Sequence, residues 1–163
     1  DRAVYLVATA ARPAGAWPAG PLQAFRDGRL VSRGDWQPAQ GDGFEIALGQ
    51  DERMRVDVEA PATFTSAKGL FDSREEKASS AVYAIVNGHG APVTVQVLDA
   101  APQPTDEAIQ VRHTYDPAPE TTAWQSRAGV AEWTLLVPPQ GTRKVSVGHV
   151  VDYPKGRVVT NLP

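Results

Sequence analysis

The fold class is decided by residues 130–153, which read VAEWTLLV at 130–137, PPQG at 138–141, T at 142 and RKVSVGHVVDY at 143–153. Apolar side chains fall at alternate positions in the last of these segments, at Val145, Val147, Val151 and Tyr153. This period of two is typical of a strand with one buried face, because successive side chains point to opposite sides of a sheet. The intervening Pro and Gly residues indicate a turn. The stretch therefore predicts two strands joined by a short turn.

The same alternation recurs towards the N-terminus. Asp27-Gly28 is a strong two-residue hairpin turn between two short alternating runs. A second hairpin is predicted around Asn87-Gly88-His89-Gly90, while residues 66–80 are small and charged and predict a surface excursion with at most a turn or two of helix. Further strands are predicted at 4–10, 22–26, 29–32, 44–48, 53–59, 81–86, 92–98 and 108–115.

About nine or ten short strands with minimal helix predict an all-β fold, an antiparallel β-sandwich formed by residues 1–163 as a single domain. The chain of 163 residues is long enough to bury a core, and its 14 glycines and 14 prolines suit many turns. Because the chain starts at Asp1 rather than Met, we expect a mature or excised piece of a longer protein.

Charge and composition exclude several classes of function. A formal net charge of −3 gives no global basic field for a phosphate backbone, so we expect no nucleic-acid partner. The apolar stretch from Ala3 to Ala11 is too short to span a bilayer, so we expect no membrane span in this chain. With no cysteine there is no disulfide, thiolate nucleophile or Cys-ligated metal. The absence of cysteine suits both the cytosol and the cell envelope.

Two of the three histidines fall on apolar strand faces. His113 alternates with Val111 and Tyr115, and His149 lies in the pattern of residues 145–153. If both point into the core, they can be neighbours, and one hypothesis is that the cost of charging a buried imidazole makes the domain sensitive to mild acid. Hydrogen-bonded core histidines are the more common interpretation, since nothing at strand spacing adds a third metal ligand or a nucleophile. His89, in a Gly-flanked turn, is predicted to be solvated.

Three of the four tryptophans divide into a core residue and two candidate ligand-binding residues. Trp133 alternates with Leu135 and Val137 and is predicted to lie in the core. Trp17 and Trp36 are each followed closely by proline and are predicted to lie in loops, where an aromatic ring face could stack on a sugar ring. The competing interpretation is that each ring covers an open end of the sandwich.

The sequence holds no recognisable catalytic constellation. It has no Gly-x-Ser-x-Gly elbow, no His-Glu-x-x-His and no phosphate-binding Gly-x-x-x-x-Gly-Lys, and its 19 acidic residues show no calcium-loop spacing. Two carboxylates flanking a cleft would suffice for a glycosidase, but no pair stands out. We therefore predict no catalytic residues, no metal site and no cofactor.

Short motifs follow one another along nearly the whole chain. They are Phe25-Arg26-Asp27-Gly28, Leu48-Gly49-x-Asp51, Gly69-Leu70-Phe71, Val97-Leu98-Asp99, Asp106-Glu107-x-Ile109-x-Val111, Gly129-Val130-x-x-Trp133 and Tyr153-Pro154-Lys155-Gly156-Arg157. In this order they resemble the C-terminal domain of the mucoidy inhibitor A-like bacterial proteins. The resemblance implies a β-sandwich-like domain of unknown biochemical function, found in bacterial proteins that usually carry an N-terminal domain and a coiled coil upstream.

These observations predict a non-catalytic interaction or structural domain of a bacterial envelope protein, which presents loops or a sheet edge to an unidentified protein partner. We expect a periplasmic or extracellular location, with the cytoplasm as the alternative. The competing function is a carbohydrate-binding module that uses Trp17 and Trp36. A hydrolase with scattered carboxylates is a distant third. The oligomeric state is left open.

Overall fold

The computed structural model describes residues 3–11, 15, 18–36, 43–67, 74–104 and 106–155. The chain divides into two compact units, residues 1–54 and residues 55–163. This division does not test the prediction that residues 1–163 form a single domain, which stays a prediction.

The first unit consists of two-stranded antiparallel sheets. Strand β1 (Tyr5–Ala11) pairs with β4 (Gly43–Gln50), and β2 (Gly20–Arg26) pairs with β3 (Arg29–Trp36). Gly49 of β4, with φ +90°, lies close enough to Val31 of β3 that a β-carbon there would touch the Val31 side chain at 3.7 Å. Glycine at this position therefore combines a left-handed backbone with a close approach of two strands.

The predicted Asp27-Gly28 hairpin is confirmed. Arg26 pairs with Arg29 across the turn, and Asp27 and Gly28 have φ angles of 50° and 75°. A two-residue turn with both central φ angles positive matches the right-handed twist of its strands, and Asp-Gly is a preferred sequence for it.

The second unit contains a four-stranded sheet in the order β5-β6-β10-β8 and a two-stranded sheet of β7 and β9. Strand β10 pairs antiparallel with both β6 and β8, and β7 pairs antiparallel with β9. The strands are β5 (Met54–Ala67), β6 (Arg74–Asn87), β7 (Val93–Ala100), β8 (Gln110–Asp116), β9 (Val130–Val137) and β10 (Thr142–Pro154).

The core of the second unit lies between these two sheets. Trp133 and Val137 of β9, Val145 of β10 and Ile85 of β6 are at most 2% exposed. The ring of Trp133 meets that of Tyr115 edge to face across the two sheets, with centroids 5.4 Å apart. The predicted burial of Trp133 is confirmed. Alternating apolar residues thus drive two sheets together because each buries one face against the other.

The prediction of a hairpin around Asn87-Gly88-His89-Gly90 is wrong, because the strands before and after this segment do not pair with each other. Strand β6 pairs with β10, whereas β7 pairs with β9 in the other sheet, so the connection crosses the core. The side chain of Asn87 explains the geometry. It is fully buried and donates from Nδ2 to the carbonyls of Ala91, Val137 and Pro138, which ties this connection to the β9–β10 turn.

The prediction of a surface excursion at residues 66–80 is also wrong where the structure describes it. Residues 74–80 are the first half of β6, and every one of them pairs with β10 between Pro154 and Gly148. The small and charged residues of this segment do not show the apolar alternation that predicts a strand. The strand forms because these charged side chains find partners on other strands. Arg74 contacts Asp152, and Glu76 accepts a hydrogen bond from Arg112. Residues 68–73 lie outside the described part.

The predicted all-β class is confirmed, with ten strands over the described residues. Helical structure there is confined to a single 3₁₀ turn at Trp124–Ser126. The guanidinium of Arg127 lies over the Trp124 ring, 5.5 Å from its centroid.

Candidate functional site

The structure places His113 and His149 side by side. They occupy directly opposed positions in the antiparallel pair β8 and β10, so their side chains share one face of the sheet. Their Nδ1 atoms lie 3.0 Å apart, and the two rings are nearly perpendicular, at 79°. Two imidazoles separated by 36 residues in sequence are therefore within hydrogen-bonding distance.

The two rings differ in burial. His149 is 5% exposed, because β10 is an inner strand with a neighbour on each side. His113 is exposed, so the prediction that it lies in the core is wrong. The physical reason is the position of β8, which is the edge strand of the four-stranded sheet in the described chain. Acid sensitivity of the pair stays a prediction.

Asp99 completes the group from the opposite sheet. It lies on β7, and its Oδ2 is 3.3 Å from Nε2 of His149. This oxygen is buried and receives no hydrogen bond of regular geometry from the residues that the structure describes. Sequence reasoning missed Asp99 as a site residue. The sequence did contain a signal for it. Asp99 alternates with Val95 and Val97, and this period of two places its carboxylate on the inner face of β7.

Aromatic rings pack against the histidines on the core side. Tyr115 stacks with His113 and meets His149 edge to face, with ring centroids 6.1 Å apart in both cases. Trp133 contacts Tyr115 and donates from its Nε1 to the carbonyl of Pro117 at 2.8 Å. We refer to Asp99, His113, Tyr115, Trp133 and His149 as the histidine cluster.

The surroundings of His113 favour the neutral form of its imidazole. Partial burial lowers the pKa of His113 below its usual 6.5, the adjacent His149 lowers it further, and Asp99 opposes both effects. Burial also raises the pKa of the Tyr115 hydroxyl, and Asp99 adds to that effect. Because the two Nδ1 atoms are 3.0 Å apart, at most one of them can carry a proton directed at the other, so at least one presents a lone pair to its neighbour.

The chemistry open to the histidine cluster follows from its side chains. It contains two imidazoles and a carboxylate, which can orient protons or offer nitrogen lone pairs to an ion. Among the residues that the structure describes, no group of three or more His, Asp or Glu side chains is placed to hold a single metal ion. On the other face of the four-stranded sheet, a groove of about 280 Å³ is lined mainly by small side chains, and it contains one carboxylate, Asp116.

A second feature is the exposed apolar pair at the end of the first hairpin. Phe25 of β2 pairs with Leu30 of β3, and they are 59% and 37% exposed. Arg26 and Arg29 are also exposed and flank the turn. We call residues 25–30 the β2–β3 tip. Sequence reasoning identified this hairpin but did not single out its side chains as a binding surface.

The structure does not test the two loop tryptophans as ligand-binding residues. Trp17 lies outside the described residues. Trp36 is the last residue of β3, and its backbone pairs with that of Gly20. The prediction that Trp36 lies in a loop is therefore wrong. The strand continues further than its alternating sequence indicated because β2 offers a partner along its whole length. Glycan binding by Trp17 and Trp36 stays a prediction.

Comparison with sequence families gives a match over residues 4–155 to a domain of unknown function, DUF4139. The matched region extends across both compact units. Comparisons with curated proteins and with solved structures find no significant match. Within the described residues, no helix is long and apolar enough to cross a membrane.

Proposed function

The chain belongs to the DUF4139 family of domains of unknown function, and on that premise we propose that it is a non-catalytic interaction domain that presents the β2–β3 tip to a protein partner. The observation that carries the proposal is the exposed Phe25–Leu30 pair on a tight hairpin. An aromatic ring held by a short, defined turn loses little conformational freedom when it binds, so more of its burial contributes to affinity.

The composition of the tip indicates the chemistry of its partner. Aromatic and arginine side chains are enriched among the residues that dominate binding energy in protein interfaces. Here Phe25 and Leu30 supply apolar area, while Arg26 and Arg29 supply positive charge on the two strands. The matching surface is a small apolar pocket with carboxylates at its rim. Opposite charges at the rim favour encounter and orientation more than affinity.

A non-catalytic role is supported by the character of the remaining surface features. The groove on the four-stranded sheet has small side chains and a single carboxylate, whereas hydrolytic sites usually need a pair of acids or a base beside a nucleophile. The lining of this groove favours recognition over chemistry.

The cellular setting belongs to the same proposal. The motifs that resemble mucoidy inhibitor A-like bacterial proteins support a role in a bacterial envelope protein, with the domain in the periplasm or outside the cell. The partner would then be another envelope protein.

Site-specific photocrosslinking tests the proposal in cells that produce the full-length protein. A photoreactive phenylalanine analogue replaces Phe25 in one variant and Leu136 in the control. Leu136 is a matched control because it is 58% exposed, close to the 59% of Phe25, but lies on β9. We expect a discrete protein adduct from position 25 that is absent at position 136. Equal adducts at both positions, or none from position 25, would contradict the proposal.

A glycan panel tests the competing carbohydrate function. Peptidoglycan fragments and simple glycans are added to the purified chain, and its thermal unfolding is followed. A ligand at a hundred times its Kd adds about 2.7 kcal/mol, which raises the midpoint by roughly 5 to 10 °C for a domain of this size. A shift that disappears in the Trp17→Ala and Trp36→Ala variants would replace the protein-binding proposal with glycan binding. The proposal predicts no shift.

A further inference from the structure

We propose that His113 and His149 form a two-imidazole binding site for a divalent transition-metal ion, with Asp99 as the carboxylate that orients His149. The proposal is independent of the β2–β3 tip and uses different elements of the chain. It rests on three observations: the spacing of the two Nδ1 atoms, the buried carboxylate oxygen without a hydrogen bond, and the exposure of His113.

The spacing of the imidazole nitrogens suits two adjacent ligands of one ion. Nδ1 of His113 and Nδ1 of His149 are 3.0 Å apart. A metal–nitrogen bond of about 2.05 Å places two ligands at right angles roughly 2.9 Å apart, and two tetrahedral ligands roughly 3.3 Å apart. The observed distance lies between these values. An ion could therefore bind both nitrogens once the rings turn so that the two Nδ1 lone pairs, which now face each other, converge at a position beside the line between the atoms.

The position of Asp99 supports the same arrangement. A histidine that binds metal through one nitrogen usually donates its other N–H to a carboxylate or carbonyl, which fixes the tautomer and the ring orientation. Here Nε2 of His149 faces Oδ2 of Asp99 at 3.3 Å, on the side of the ring away from His113. An ion on Nδ1 keeps the proton on Nε2 and polarises the N–H bond. That bond then satisfies an oxygen that otherwise receives none.

Exposure of His113 gives the site an entrance and leaves room for water. The ring lies on the edge strand β8 and is exposed, so an ion can approach the His113 imidazole from solvent. Two protein ligands leave the other coordination positions to water. Imidazole ligands select Cu²⁺, Ni²⁺ and Zn²⁺ over Ca²⁺ and Mg²⁺, and divalent affinity is highest for Cu²⁺. Tyr115 packs beside the rings and limits their rotation on the core side.

The third histidine provides a matched control for the binding experiment. The chain, free of any affinity tag and stripped of metal with EDTA, is titrated with Ni²⁺ in a calorimeter. Its variants are His113→Ala and His89→Ala, and His89 lies in the turn between β6 and β7. We expect one Ni²⁺ per chain in the wild type and in His89→Ala, and loss of binding in His113→Ala. No binding in the wild type, or binding that survives in His113→Ala, would overturn the site.

The roles of His149 and Asp99 are tested by two further measurements. His149→Ala is not used, because it would remove a core side chain. Electron paramagnetic resonance of the Cu²⁺-loaded chain should show coupling to two imidazole nitrogens, and to fewer in His113→Ala. Asp99→Asn should weaken Ni²⁺ affinity about 10- to 100-fold, with the unfolding midpoint in EDTA close to that of the wild type. An unchanged affinity in a folded Asp99→Asn variant would overturn the orienting role of Asp99.

Discussion

Nδ1 of His149 lies 3.0 Å from Nδ1 of His113, at directly opposed positions of strands β10 and β8. The line between these atoms has room for one proton, so the pair is compatible with at most one N–H pointing inward. When both rings are charged, two N–H groups and two positive charges meet at this distance. We therefore expect the folded protein to disfavour the doubly charged pair, and the domain without bound metal to lose stability in mild acid.

The first prediction concerns this pH response. The pKa of His113 is lowered below 6.5 in the folded state, by partial burial and by His149, while Asp99 opposes the shift and Tyr115 stays neutral beside it. The unfolded chain then binds the proton more readily than the folded one as pH falls below 6.5, so stability decreases over that range. In EDTA, we expect a lower unfolding midpoint at pH 5.5 than at pH 7.5, and a smaller difference in His113→Gln.

The size of that response is limited because His113 is exposed. Because other groups also titrate in this range, the comparison with His113→Gln is what assigns the change in unfolding midpoint to His113. His89→Gln is the control and should keep the wild-type difference. Midpoints that match at the two pH values in the wild type, or an equal difference in His113→Gln, would contradict the prediction.

Strands could be predicted from the sequence, but not all of their partners. Alternating apolar residues and the Asp27-Gly28 turn define local structure, and these predictions were confirmed. The path of the chain after β6 involves Asn87, whose hydrogen bonds to the carbonyls of Val137 and Pro138 form only when two distant turns meet. No local pattern contains that information, so the connection was predicted as a hairpin.

The site was likewise predictable in part. Two histidines on apolar strand faces were identified as candidate neighbours, because each lies at strand period with valines. Their difference in burial depends on strand order, since β10 lies inside the sheet and β8 at its edge. Asp99 joins them only because β7 lies in the facing sheet, a tertiary relationship that strand period alone does not give.

The second prediction concerns Asn87, which connects the β6–β7 and β9–β10 turns. Its Oδ1 accepts from the backbone N–H of His89 at 2.8 Å, and its Nδ2 donates to three carbonyls. We expect Asn87→Ala to lower the free energy of unfolding by about 2 to 4 kcal/mol, because buried carbonyls lose their donor. Asn87→Asp should be at least as destabilising at pH 7, since a carboxylate would face the same carbonyls. Urea unfolding measures both, and a loss below 1 kcal/mol in Asn87→Ala would contradict the prediction.

The third prediction concerns Trp133, which joins the two sheets of the second unit. Trp133→Phe keeps an aromatic ring against Tyr115 but removes the donor to the Pro117 carbonyl and leaves a small cavity. We expect a loss of about 2 kcal/mol, below the roughly 3 to 5 kcal/mol for removal of the whole side chain in Trp133→Ala. Urea unfolding followed by circular dichroism is the measurement. Equal losses in the two variants would show that the ring contact contributes nothing.

The fourth prediction concerns the ion pair that holds the charged half of β6 in the sheet. Arg74 donates from Nε to the buried carboxylate of Asp152 and from a terminal nitrogen to the carbonyl of Ala108 at 3.0 Å. Arg74→Met leaves the Asp152 charge, which is 5% exposed, without this partner, so we expect a loss of about 3 kcal/mol.

The exposed pair Arg55–Asp57 is the control, and Arg55→Met should cost less than about 1 kcal/mol. Adding Asp152→Asn to Arg74→Met should recover part of the loss, because the buried charge that has lost Arg74 is removed with little change in shape. Similar losses in Arg74→Met and Arg55→Met, measured by urea unfolding, would mean that β6 is held by its backbone pairing with β10 rather than by this ion pair.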